Sequence, residues 1–97
     1  MTNIEKILKV DVNVEITLNS NFIEKVKFEK EELINDPKYS NGIYYTWSAY
    51  SKFNNWKAIF PLLSHGMNGY VKFFKTLIGA KRNFIRKYLK ENNKWLQ

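Results

Sequence analysis

A strict alternation of aliphatic and polar residues near the N-terminus is the pattern that most constrains the fold. Every even position from 8 to 18 is Leu, Val or Ile, and the odd positions between them are Lys, Asp, Asn, Glu and Thr. A period of two predicts a β-strand with one buried face and one solvent-facing face. Turn-forming residues follow at 19–21, and a looser alternation then places Val26 and Phe28 on one side. We therefore predict an antiparallel hairpin over residues 7–29.

The middle of the chain predicts a third strand followed by a short helix. An Asn-Gly turn signal precedes residues 43–50, which alternate and are rich in strand formers, with Tyr45 and Trp47 expected inside. Before that turn, the acidic residues 29–35 are predicted to form one helical turn, which the Asp-Pro dipeptide ends. After the third strand, Ser51 can cap a helix over residues 52–60, where apolar residues recur at helical spacing.

The last third of the chain holds all of its net charge. Residues 67–97 contain eight Lys or Arg and one acid, which gives +7, the net charge of the whole chain. On a helix over residues 70–92, apolar side chains cover about half of the circumference and most bases fall on the other half. Lys81 alone breaks this sorting. The six sorted bases are Lys72, Lys75, Arg82, Arg86, Lys87 and Lys90.

These elements predict a single α+β domain over residues 1–97. An N-terminal antiparallel hairpin and a third strand form a small sheet, which a short helix and the long basic amphipathic C-terminal helix cover. Apolar residues make up 44% of the chain, enough to build a core at this length.

The residues that most enzymes and metal sites require are scarce. Cysteine is absent, which removes disulfides and thiolate metal sites, and His65 is the only histidine, in a loop over residues 64–69. The acids near residue 30 are interleaved with lysines and lack the spacing of a paired-carboxylate site. We therefore expect no catalytic residues, no metal and no other cofactor.

Nothing in the sequence indicates secretion or a membrane span. Residues 1–9 lack the basic-then-apolar order of a secretory signal. The longest apolar run, residues 58–63, is far shorter than the roughly 20 residues of a spanning helix. We expect a cytoplasmic protein without a membrane partner.

The basic helix face is the strongest functional signal. Its bases repel one another, and a single acid, Glu91, is available in this third of the chain to relieve them. The first hypothesis is a binder of nucleic acid or of a nucleoprotein complex, with the six bases on phosphates. The second is an inhibitor or accessory factor of the phage or mobile-element type, which binds and blocks a host nuclease or transcription protein. The bases would then contact an acidic surface of that partner protein. The alternative to both is a merely solvated face in a Lys-rich chain. An enzyme ranks third, and peripheral membrane attachment through the cationic helix ranks fourth, because that helix would have to leave the sheet uncovered.

Aromatic residues are the second set of candidate contacts. Tyr44, Tyr50 and Trp95 are predicted to lie on the surface, where they could stack on bases or anchor a protein interface. The exposed edge of the first strand, or a surplus aromatic patch, could also support a homodimer.

Overall fold

The chain folds into an antiparallel sheet with helices at both ends of the sequence. The computed structural model describes residues 2–20, 23–51, 58–59 and 72–96. Its elements are α1 (Asn3–Lys9), β1 (Ile16–Thr17), β2 (Ile23–Leu33), β3 (Gly42–Ser51), β4 (Ala58–Ile59) and α2 (Leu77–Leu96). The strands pair in the order β1-β2-β3-β4, and every pairing is antiparallel. The predicted α+β class, with a small antiparallel sheet and a long C-terminal helix, is confirmed.

The N-terminal segment begins as a helix, which corrects the predicted strand. The Thr2 hydroxyl accepts a hydrogen bond from the backbone N–H of Glu5 at 3.1 Å, and Thr-x-x-Glu is the sequence of a capping box. Asn13 then adopts a left-handed φ of 64°, which an extended strand does not accommodate. Of residues 8–18, only Ile16–Thr17 is strand, and Leu8 and Val14 are 45% and 47% exposed.

Strands β2 and β3 form the centre of the sheet. The third strand predicted over residues 43–50 is confirmed as β3, and Phe28 lies opposite Trp47, with both side chains buried. The helical turn predicted over residues 29–35 is wrong, because β2 continues to Leu33 and pairs with β3 along this length. Cross-strand pairing outweighs the low intrinsic strand preference of glutamate.

The predicted helix over residues 52–60 is wrong at its C-terminal end. Ala58–Ile59 forms β4 and pairs with Ala49 and Tyr50 of β3. The rest of that helix, the connector over residues 64–69 and His65 lie outside the described residues.

Helix α2 begins at Leu77 rather than at residue 70, because the segment before it pairs with the sheet. The Phe74 N–H donates to the Tyr45 carbonyl at 2.8 Å, and the Tyr45 N–H donates to the Phe74 carbonyl at 2.7 Å. The Thr76 hydroxyl then accepts from the Gly79 N–H at 3.0 Å and caps the first turn. A tertiary pairing therefore replaces helix over residues 72–76 of the predicted segment.

One face of α2 packs on the sheet and fixes the rotation of the helix. Ala80, Phe84 and Tyr88 are buried on this face. The Phe84 ring meets Trp47 edge to face at 5.0 Å and Phe28 at 6.0 Å, and burying each such ring contributes on the order of 1.5–3 kcal/mol. The Trp47 indole N–H donates to the Asn83 side-chain oxygen at 2.9 Å. The opposite face of α2 consequently points away from the sheet.

Candidate nucleic-acid interface

Three bases lie in line on the outward face of α2. Arg82, Arg86 and Lys90, which we call the basic stripe, are all exposed. Each follows one of the buried residues Ala80, Phe84 and Tyr88 by two positions, and two residues rotate an α-helix by about 200°. The basic stripe therefore points almost directly away from the core, with one helical turn between successive charges.

The described part of the chain does not neutralise the basic stripe. Lys25 pairs with Glu15 and Lys27 pairs with Glu29, each at 3.6 Å, and both of these ion pairs lie on the sheet side of the molecule. The first turn of α2 contains no acid. The three charges are thus presented to solvent and are available to an anionic partner.

The other three predicted bases do not join this line, which corrects the single basic face of the sequence hypothesis. Lys72 and Lys75 precede α2, where the chain is not helical. The Lys72 ammonium lies 5.2 Å from the centre of the Phe74 ring, and Lys75 is exposed just before the Thr76 cap. Lys87 is on α2 but is half-buried and interacts within the fold.

The aromatic candidates separate in the structure. Tyr44 is only 5% exposed, and its hydroxyl donates to the Ser40 carbonyl at 2.7 Å, so its expected surface position is wrong. Both faces of β3 are covered, which a simple alternation rule does not anticipate. Tyr50 is half-buried and lines an open cavity of about 390 Å³ with Glu15, Glu24 and Lys25. Trp95 is in the last turn of α2, and its side chain lies outside the described residues.

Lys81 has a structural position that the sequence reasoning missed. It is 5% exposed, and its ammonium donates to the carbonyls of Leu8 at 2.9 Å and Val10 at 2.6 Å, at the C-terminal end of α1. Desolvation lowers the pKa of Lys81, and attraction to Asp11 opposes this shift. The signal was present in the sequence, since Lys81 was the one base on the apolar side of the predicted helix.

Neither of the two helices in the described ranges combines the length and apolar character needed to cross a bilayer. Among the same residues, no group of three or more His, Asp or Glu is placed to hold a metal ion. Comparison of the chain with protein-family models, curated proteins and solved structures gives no match.

Proposed function

We propose that the protein is a small, non-enzymatic, cytoplasmic binding protein that engages nucleic acid or a nucleoprotein complex through the basic stripe of α2. The observation that carries this proposal is the alignment of Arg82, Arg86 and Lys90, one turn apart and directed away from the core. Packing of Ala80, Phe84 and Tyr88 on the sheet fixes the orientation of α2, so these charges are presented without a large ordering cost at the moment of binding.

Phosphate contacts of this kind have a measurable consequence. Each neutralised phosphate of duplex DNA releases condensed counterions and contributes about −0.9 to the slope of log affinity against log salt. Two to three phosphate contacts from the basic stripe therefore predict a slope between about −1.8 and −2.7 on duplex DNA. On a single strand, where each contact contributes about −0.7, the slope is between about −1.4 and −2.1.

The test is fluorescence anisotropy with labelled nucleic acids over a series of salt concentrations. The double variant Arg82→Gln/Lys90→Gln should bind at least tenfold more weakly at low salt, with a slope about 1.8 shallower on duplex DNA. The matched control is Lys9→Gln/Lys30→Gln, which removes the same charge from two exposed positions that are not on α2. Equal weakening in both variants would assign binding to net charge and reject the basic stripe.

An acidic protein surface is the second candidate partner, and two exposed apolar residues favour it. Ile78 and Leu89 are each 43% exposed on the same side of α2 as the basic stripe. Protein interfaces combine apolar contacts with charges, whereas phosphate contacts are made by charged and polar groups and need no apolar side chain. The test is capture of a partner protein from a nuclease-treated lysate. Capture by the wild type and by Lys30→Gln, together with loss of capture by Leu89→Ser, would support this candidate. If Leu89→Ser keeps the nucleic-acid affinity of the wild type, the apolar surface used by a protein partner is distinct from the basic stripe used by nucleic acid.

A further inference from the structure

The burial of the aromatic rings beneath α2 indicates which form of nucleic acid the basic stripe is suited to bind. Proteins that bind single strands stack unpaired bases on exposed aromatic side chains beside a basic groove. The aromatic residues of α2 with described side chains, Phe84 and Tyr88, are buried against the sheet, as are Phe28 and Trp47. The outward face of α2 over residues 77–90 therefore offers charges and aliphatic groups, and no ring on which a base can stack. This composition favours a duplex, in which the bases stay stacked.

Because the charges lie on an α-helix, the fit of a helix into the grooves distinguishes B-form DNA from A-form RNA. The basic stripe lies on a helix, and the major groove of B-DNA, about 12 Å wide, admits an α-helix, whereas the minor groove, about 6 Å wide, does not. The major groove of A-form RNA is too narrow and deep for side chains to read. A helix-borne stripe is consequently suited to B-form DNA.

The spacing of the basic stripe matches that groove. Arg82 and Lys90 are eight residues apart in the sequence, which corresponds to about 12 Å along the axis of α2. This is close to the width of the major groove, so side chains at the two ends can reach phosphates on opposite strands. Arg86 lies midway between them, where an arginine can donate two hydrogen bonds to the O6 and N7 atoms of guanine.

We propose that the ligand is B-form double-stranded DNA, with α2 across the major groove, Arg82 and Lys90 on phosphates of the two strands and Arg86 on base edges. This inference rests on the proposed function of the basic stripe and adds the nucleic-acid class and a separate role for each residue. It makes Arg86 different in kind from its two neighbours, although all three are exposed cations on one face.

The experiment compares one labelled sequence as duplex DNA, single-stranded DNA and duplex RNA. Duplex DNA should bind at least tenfold more tightly than the other two forms at equal salt. Arg82→Gln and Lys90→Gln should each make the salt slope on duplex DNA shallower by about 0.9. Arg86→Gln should leave that slope nearly unchanged and remove a preference of roughly fivefold to a hundredfold for duplexes containing G·C pairs over duplexes of A·T pairs alone.

The possible outcomes distinguish failure of this inference from failure of the proposed nucleic-acid-binding function. Equal binding of single strands or duplex RNA would overturn the assignment of B-form DNA while leaving a nucleic-acid binder in place. An equal loss of slope in all three variants would overturn the base-edge role of Arg86. Absence of binding to every form, with circular dichroism showing folded protein, would overturn the proposed nucleic-acid function and this inference together. Lys30→Gln, on β2, is the single-charge control and should change none of these measurements.

Discussion

A single buried lysine joins the two helices of this protein. The Lys81 ammonium occupies the C-terminal end of α1, where backbone carbonyls lack partners within the helix and a cation is electrostatically favoured. Its side chain also passes over the ring of Phe28, whose centre is 6.0 Å from the ammonium. The residue that interrupted the amphipathic pattern of α2 is therefore a tertiary cap for a helix distant in sequence.

Replacing this lysine should destabilise the fold without touching the basic stripe. Lys81→Met keeps most of the apolar stem and removes the donor to the carbonyls of Leu8 and Val10. We expect a loss of about 1–3 kcal/mol in the free energy of unfolding, measured by urea denaturation. Lys75→Met is the control, because Lys75 is exposed, and should change the stability by less than about 0.5 kcal/mol.

The pH dependence of stability gives a second check on Lys81. Because burial lowers its pKa, the folded chain releases this proton before the unfolded chain does as the pH rises toward 10.5. The unfolded chain then binds more protons, so the contribution of Lys81 to the free energy of unfolding increases with pH in the window just below 10.5. Lys81→Met should lack this increase. An identical pH profile in wild type and variant would contradict the burial of the charge.

At the scale of elements, β2 extends beyond the strand that covers its outer edge. Strand β1 pairs with Lys25 and Val26, and the Asn13 N–H donates to the Phe28 carbonyl at 2.7 Å. Past Phe28, none of the described strands pairs with this edge, and the strand continues through the charged segment 29–32. Charged side chains on an open edge are a common protection against pairing with another sheet.

Removing that protection should cause self-association. Lys30→Val/Glu32→Val leaves the net charge of the chain unchanged and places strand-forming side chains at two exposed positions of β2. We expect concentration-dependent association in sedimentation velocity, with the monomer still folded. The control Lys30→Gln/Glu32→Gln removes the same charges without adding apolar surface and should associate more weakly than the valine variant. Association of both variants to the same extent would show that apolar pairing is not the cause.

At the scale of the whole molecule, one asparagine connects three parts of the fold. The Asn3 amide donates to the Asn19 carbonyl at 2.8 Å and to the Tyr88 hydroxyl at 2.7 Å, and its oxygen accepts from the Asn19 N–H at 3.2 Å. These bonds join the start of α1, the turn after β1 and the inner face of α2. The N-terminus is thereby fastened to the element that carries the basic stripe.

Loss of this connection should affect the whole fold. Asn3→Ala removes all three hydrogen bonds, and we expect a decrease of about 2–3 kcal/mol in the free energy of unfolding. Tyr88→Phe removes only the hydroxyl and should cost about 1 kcal/mol. Urea denaturation measures both, and equal losses would show that the two contacts with Asn19 contribute little.

The sequence by itself determined those elements whose pattern and packing agree. The alternation of residues 43–50 predicted β3, with Trp47 buried, and the amphipathic pattern after Leu77 predicted α2 with an apolar inner face. The positions of Arg82, Arg86 and Lys90 on the polar side of α2 also follow from helical periodicity alone. In each case the local preference and the tertiary environment favour the same conformation.

Tertiary structure decided the elements for which the local sequence pattern was compatible with more than one conformation. The alternation of residues 8–18 is compatible with a strand, but the Thr2 cap starts a helix and the left-handed Asn13 breaks the extension. The start of α2 moved to Leu77 because the Phe74 backbone pairs with Tyr45, a residue distant in the sequence. That pairing removed Lys72 and Lys75 from the helix, so a long-range hydrogen-bonded bridge, which periodicity cannot encode, reduced the six predicted bases on the helix to four. Of these four, Lys87 is half-buried, which leaves the three residues of the basic stripe.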